Sequence, residues 1–136
     1  MKIMHSLIKP LLTAAAAALV LLSFSVSAHH SFYAEFDSNK EVVLDGTVVK
    51  MEWKNPHSWL VIAVENDKGG TDEWRVEGGS PNVLMRLGWT RDSLPEGTRV
   101  TVRGFQAKDG SFRANSRGLE FPDGRKLEMG GSHAEP

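Results

Sequence analysis

Three histidines carry the sharpest chemistry in this sequence. If the leader described below is cut after Ala28, His29 becomes the first residue of the chain. An amino-terminal histidine offers its α-amine and an imidazole nitrogen to one ion, a chelate suited to Cu(II) and its tetragonal preference for nitrogen. A third nitrogen from His30 or His57 would complete a T-shaped brace. The α-amine titrates near about pH 8 and imidazole near about 6.5, so both give up their protons readily for a metal. His29, His30 and His57 are therefore the expected metal ligands, and copper the expected ion. The plainer alternative is that cleavage must leave some residue first, and that His29-His30 is only a polar chain end. His133, near the other end, is read as incidental.

Two further groups could hold a ligand. Trp53 and Trp59 flank Asn55-Pro56-His57, at a turn where aromatic rings can stack on bases or sugars or simply cap the end of a domain. Arg113, Asn115 and Arg117 alternate along one strand and share a face, with Arg103 on the expected neighbour. That is a small basic patch for a carboxylate or phosphate group, or else ordinary surface. Glu73, Arg75 and Glu77 share another face and read as a solvated, self-paired row.

Recognised catalytic motifs are missing. Gly78-Gly79-Ser80 runs into Pro81 and so cannot be a nucleophile elbow. No paired-His zinc helix, phosphate-binding glycine loop or calcium loop occurs. Ser80-Pro81 has a structural explanation as a helix start, with Ser as N-cap and Pro at the first helical position.

Composition narrows the classes. The chain has 136 residues, 40% hydrophobic and 24% charged, which suits one globular domain. It has no Cys, which excludes disulfides, thiolate metal sites and cysteine nucleophiles. Lys2 and Lys9, the apolar run Leu11 to Phe24 and the small residues Val26-Ser27-Ala28 form a three-part signal peptide over residues 1–28. A membrane anchor fits less well, because the run ends in Ser23, Ser25 and Ser27 rather than in a basic cluster. Export to the periplasm is the expectation, with no membrane span after cleavage. The formal net charge of −1 becomes more acidic when Lys2 and Lys9 leave, which argues against nucleic acid as a partner.

The elements that must position these residues read as five strands and a helix. Residues 29–40 form an N-terminal segment, with Phe32, Tyr33 and Phe36 packed over the domain and Asp37-Ser38-Asn39 as a turn. Strands are expected at Glu41 to Lys54, Ser58 to Glu65, Asp72 to Glu77, Thr98 to Phe105 and Phe112 to Phe121. A helix is expected at Pro81 to Leu87, stopped by Gly88. Gly46 marks a bend that lets the first strand serve two sides of a barrel. Three strands, a helix and two strands is the order of the OB-fold, so the expected class is an all-β, OB-fold-like, partly open five-stranded barrel over residues 41–129, its short helix between strands 3 and 4. A short piece at Lys126 to Met129 follows, and residues 130–136 read as a disordered tail.

Several runs carry a family resemblance: His29-His30-Ser31-Phe32, Asn55-Pro56-His57-Ser58-Trp59, Glu77-Gly78-Gly79-Ser80-Pro81-Asn82 with Gly88-Trp89-Thr90, and Arg103-Gly104-Phe105 through Arg113-Ala114-Asn115. Together they resemble a numbered domain-of-unknown-function family of small exported bacterial proteins. The resemblance implies export and a compact β-barrel, and brings no activity, ligand or catalytic residue with it. The expected function is a small, non-enzymatic periplasmic binding module for a small ligand, with Cu(II) at His29 as the candidate cofactor. The alternatives are an accessory subunit that docks another periplasmic protein, and a copper-dependent oxidoreductase.

Overall fold

The structure, a computed structural model, describes residues 32–131. The expected leader, His29 and His30 lie outside the described residues, as do residues 132–136 of the expected tail. The extended runs form strands β1 (Phe36–Glu52), β2 (Trp59–Glu65), β3 (Thr71–Glu77), β4 (Arg99–Ala107), β5 (Arg113–Glu120) and β6 (Lys126–Leu127), with β3 alternating polar and apolar and β2 apolar on both faces. A helical turn, α1, covers residues 32–35, and helix α2 covers Pro81–Arg86.

The strands pair in the order β3-β2-β1-β4-β5-β6, and a parallel contact between β3 and β5 joins the two arms. β1, β2, β3, β5 and β4 thereby form a closed ring, and every other pairing is antiparallel. The chain is mostly β, as its alternation implies, with the short helix between the third and fourth strands. Gly46 sits where β1 serves both arms, opposite Val64 of β2 and Val100 of β4.

The break in register of β1 falls not at Gly46 but between Val48 and Lys50, leaving Val49 as an extra residue. This bulge shifts the inward phase of the strand by one. Leu44 and Val48 face the core before it, and Met51 and Trp53 pack against the core after it. At its start β1 is longer than expected and takes in Asp37-Ser38-Asn39. The Asn39 amide donates to Asp37 Oδ1 at 2.9 Å, and the β1–β4 register slips between Phe36 and Glu41. Those turn formers therefore make an irregular stretch inside the strand rather than a turn before it.

The interior joins Leu44, Leu60, Ile62, Trp74, Val76, Val102 and Leu119 to Leu84 of α2. The Ser80 hydroxyl accepts from the Val83 amide at 3.3 Å, Pro81 opens the helix, and Leu84 is fully buried against the ring. Phe32 and Phe36 pack with Phe105 and Ala107 in a second, smaller cluster, while Tyr33 is left 53% exposed. The last described residues cross the end of the ring. The Gly79 amide donates to the Met129 carbonyl at 2.7 Å, and a Cβ on Gly79 would lie 2.9 Å from the Gly130 carbonyl. Gly78-Gly79 is thus explained by close backbone approach. Among the described residues, no helix is long and apolar enough to cross a membrane.

Candidate functional site

Three short runs of sequence meet on the outward face of β2, β3 and β5. The pairing registers place Trp59 opposite Glu77, Glu77 opposite Asn115, and Arg75 opposite Arg113. Because Trp74, Val76 and Ala114 point into the core, strand alternation turns Arg75, Glu77, Arg113 and Asn115 outward. His57 joins them from the loop before β2, beside the cis Asn55–Pro56 peptide.

Glu77 and Asn115 are the buried members of this group. His57 Nδ1 donates to Glu77 Oε1; the carboxylate side chain is 8% exposed and the imidazole 37%. The Asn115 side chain also hydrogen-bonds the carboxylate. Burial raises the Glu77 pKa above its ordinary value, and His57 and Asn115 oppose that rise only in part. Since His57 commits Nδ1 to Glu77, its Nε2 is the ring nitrogen left to other partners. The expectation that Glu73, Arg75 and Glu77 form a solvated row needs correction. Glu77 is buried because β5 closes over β3, and Arg75 pairs not with its strand neighbours but with Glu52 on β1, at 3.0 Å.

Two arginines of this face lie over one aromatic ring. The guanidinium of Arg75 is 5.3 Å from the centre of the Trp59 ring, and that of Arg113 is 5.6 Å from it. Arg113 also pairs with Glu35 at 2.7 Å. Glu52 receives Lys50 at 2.8 Å, Lys54 at 3.1 Å and Arg75 at 3.0 Å. Hydrogen bonds from Lys50 and Lys54, with the nearby Arg75 charge, hold its pKa down to about 2.

The other expected site residues lie apart from this cluster. Trp53 does not share a ligand face with Trp59. The bulge at Val49 turns it inward, edge-on to Trp89 at 6.5 Å, with Arg91 over its ring. Arg117 does share the outward face of β5, over Phe105 at 5.7 Å and 3.8 Å from Glu41. Arg103 and Arg117 line a shallow groove of about 150 Å³ whose wall also contains Glu120, Lys126 and Glu128. The expected basic patch is therefore two places, and in each of them carboxylates stand among the cations. Among the described residues no group of three His, Cys, Asp or Glu side chains is placed to hold a metal ion. His57 is the one expected copper ligand within them.

The chain is thus a mostly β domain whose ring of five strands carries two arginines over a tryptophan and, on the same face, a half-exposed histidine bonded to a buried glutamate. It belongs to Family of unknown function (DUF6152), whose sequence profile matches residues 16–116. No curated protein matches the chain, and no solved structure does.

Proposed function

We propose that this protein is a small, exported, non-enzymatic binding module on an OB-fold-like barrel. The closed order β1-β2-β3-β5-β4 and a helix between β3 and β4 support the OB-like reading. In that fold the outward face of strands 2 and 3, with the loop joining strands 1 and 2, is the usual ligand surface. One observation carries the reading: Trp59, Arg75, Arg113, His57 and Glu77 converge on that face from separate parts of the chain. The signal-like segment over residues 1–28 supports a periplasmic location.

Native mass spectrometry of the protein isolated from periplasm tests this. The expected result is a chain beginning at His29 that retains a small mass, lost in both Trp59→Ala and Arg113→Ala. A retained mass that survives both substitutions overturns the assignment of the face. Co-purification with a larger exported protein, lost in the same variants, would favour an accessory subunit instead.

Cu(II) binding is a second reading, favoured by the orientation of His57. A carboxylate on one imidazole nitrogen fixes the ring and its tautomer for a metal on the other nitrogen, and Glu77 provides that contact. His29, with its α-amine, and His30 supply the nitrogen donors that the sequence adds. A copper-dependent oxidoreductase would need this copper site, so loss of copper binding removes that alternative as well.

A further inference from the structure

We propose that Arg75 and Arg113 receive an oxyanion, the carboxylate or phosphate group of a small ligand, in exchange for the resident carboxylates of Glu52 and Glu35. The inference rests on reading this face as the ligand face, and it names the ligand's chemistry. The two arginines are direct partners across the parallel β3–β5 seam, and both guanidiniums lie within 6 Å of one tryptophan ring. A guanidinium held over an aromatic ring still has N–H donors to offer to a planar or tetrahedral anion. Each arginine spends one terminal nitrogen, Nη2, on its carboxylate. The other donors of each five-donor fork make no hydrogen bond among the described residues.

Both resident carboxylates are replaceable. Glu52 keeps Lys50 and Lys54 when Arg75 leaves it, so its charge stays compensated. Glu35 is 50% exposed and Arg113 36% exposed, and an ion pair that open to water is held weakly. The arrangement also selects against base or sugar stacking on Trp59, one of the two roles open to it from sequence. With two guanidiniums over its ring, the surface offered outward is cationic hydrogen-bond donors rather than an aromatic plane.

The test is titration of the chain beginning at His29 with inorganic phosphate and, separately, with citrate, followed by calorimetry and amide chemical shifts at low ionic strength. Binding of either probe, with shifts centred on Arg75, Arg113 and Trp59, is the expected result; comparing the two probes assigns phosphate or carboxylate preference. Arg75→Gln and Arg113→Gln should each weaken binding about tenfold, and Lys at either position should not restore it, because an ammonium cannot reproduce the fork. Glu35→Gln and Glu52→Gln should tighten binding several-fold, because each removes a competitor for its arginine. A purely structural role for these ion pairs gives the opposite sign. Arg103→Gln should leave binding unchanged. The proposal is overturned if neither probe binds, or if the glutamate variants weaken binding. Shifts on this face with a neutral sugar alone would keep the ligand face and discard the oxyanion. Anion shifts gathered at the Arg103–Arg117 groove would discard both.

Discussion

His57 Nδ1 is hydrogen-bonded to a Glu77 carboxylate that the closing of β5 over β3 has buried. Removing the histidine leaves the carboxylate with only the Asn115 hydrogen bond and the weaker influence of the Arg113 charge to offset its burial. His57→Ala should therefore destabilise the domain by roughly 1–3 kcal/mol, the range for a buried polar group that loses a partner. In a Glu77→Gln background the same change should cost clearly less, with a coupling energy above about 0.5 kcal/mol. Urea unfolding of the four proteins measures it, and additive effects would separate the two side chains. The raised Glu77 pKa also has a sign. Its contribution to stability is fully present below the unfolded value near 4.5 and is lost as pH rises through the folded pKa. Glu77→Gln should flatten that decline.

Glu52 gives the opposite slope at lower pH. Its pKa falls from 4.5 to about 2 because Lys50 and Lys54 hydrogen-bond it and Arg75 adds charge. A depressed carboxylate pKa stabilises the fold above the unfolded value, and the contribution is lost as pH falls from about 4.5 towards 2. Lys50 is 50% and Lys54 62% exposed, so screening reduces the effect to about 1–2 kcal/mol. Thermal melts between pH 5 and 2 should show a shallower acid loss in Glu52→Gln than in the parent. Identical acid limbs in the two proteins would mean that the cluster contributes nothing.

Gly104 should be intolerant of any side chain. A Cβ there would lie 2.3 Å from the Asn115 carbonyl oxygen, at the register shift where β4 meets β5. The obstacle is backbone of a neighbouring strand, so it cannot rotate away. Gly104→Ala should lose about 2 kcal/mol or more in urea unfolding, as overpacking of a rigid site does. Because the same strain displaces Asn115, the His57–Glu77 pair should loosen too, visible as altered imidazole shifts. A stability within about 0.5 kcal/mol of the parent would show that the sheet absorbs the methyl.

The same contrast between local and long-range causes separates what could be read in the sequence from what could not. The Ser80-Pro81 start and the inward Trp74 and Val76 were legible because each is set by residues a few positions away. The bulge at Val49 was not, since no glycine or proline marks it and only pairing with Val61 and Ile62 of β2 reveals the extra residue. It sent Trp53 inward and so separated it from Trp59. Burial of Glu77 was equally invisible: it depends on Asn115, brought beside it by a parallel pairing that no local pattern announces. His57, Glu77 and Asn115 each sit in a distinctive run of sequence, but only the strand pairings bring the three runs together.

Copper binding is decided by two changes that act on different donors. Adding one residue before His29 removes the α-amine from chelating position and leaves every imidazole in place. His57→Ala removes an imidazole that Glu77 holds by Nδ1 and leaves the chain start intact. If the nitrogen donors act together, Cu(II) should bind the chain beginning at His29 with sub-micromolar affinity, and other divalent ions more weakly, in the order of the first-row metals. Each change should then weaken Cu(II) by about an order of magnitude or more. Glu77→Gln should weaken it less and alter the electron paramagnetic resonance of the bound Cu(II), because a neutral amide makes the imidazole a poorer donor without removing it. Removing residues 132–136, and His133 with them, should change nothing. Equal Cu(II) affinity in the extended chain would sink the brace. The outward face of β2, β3 and β5 would then be left as the place where this domain meets its ligand.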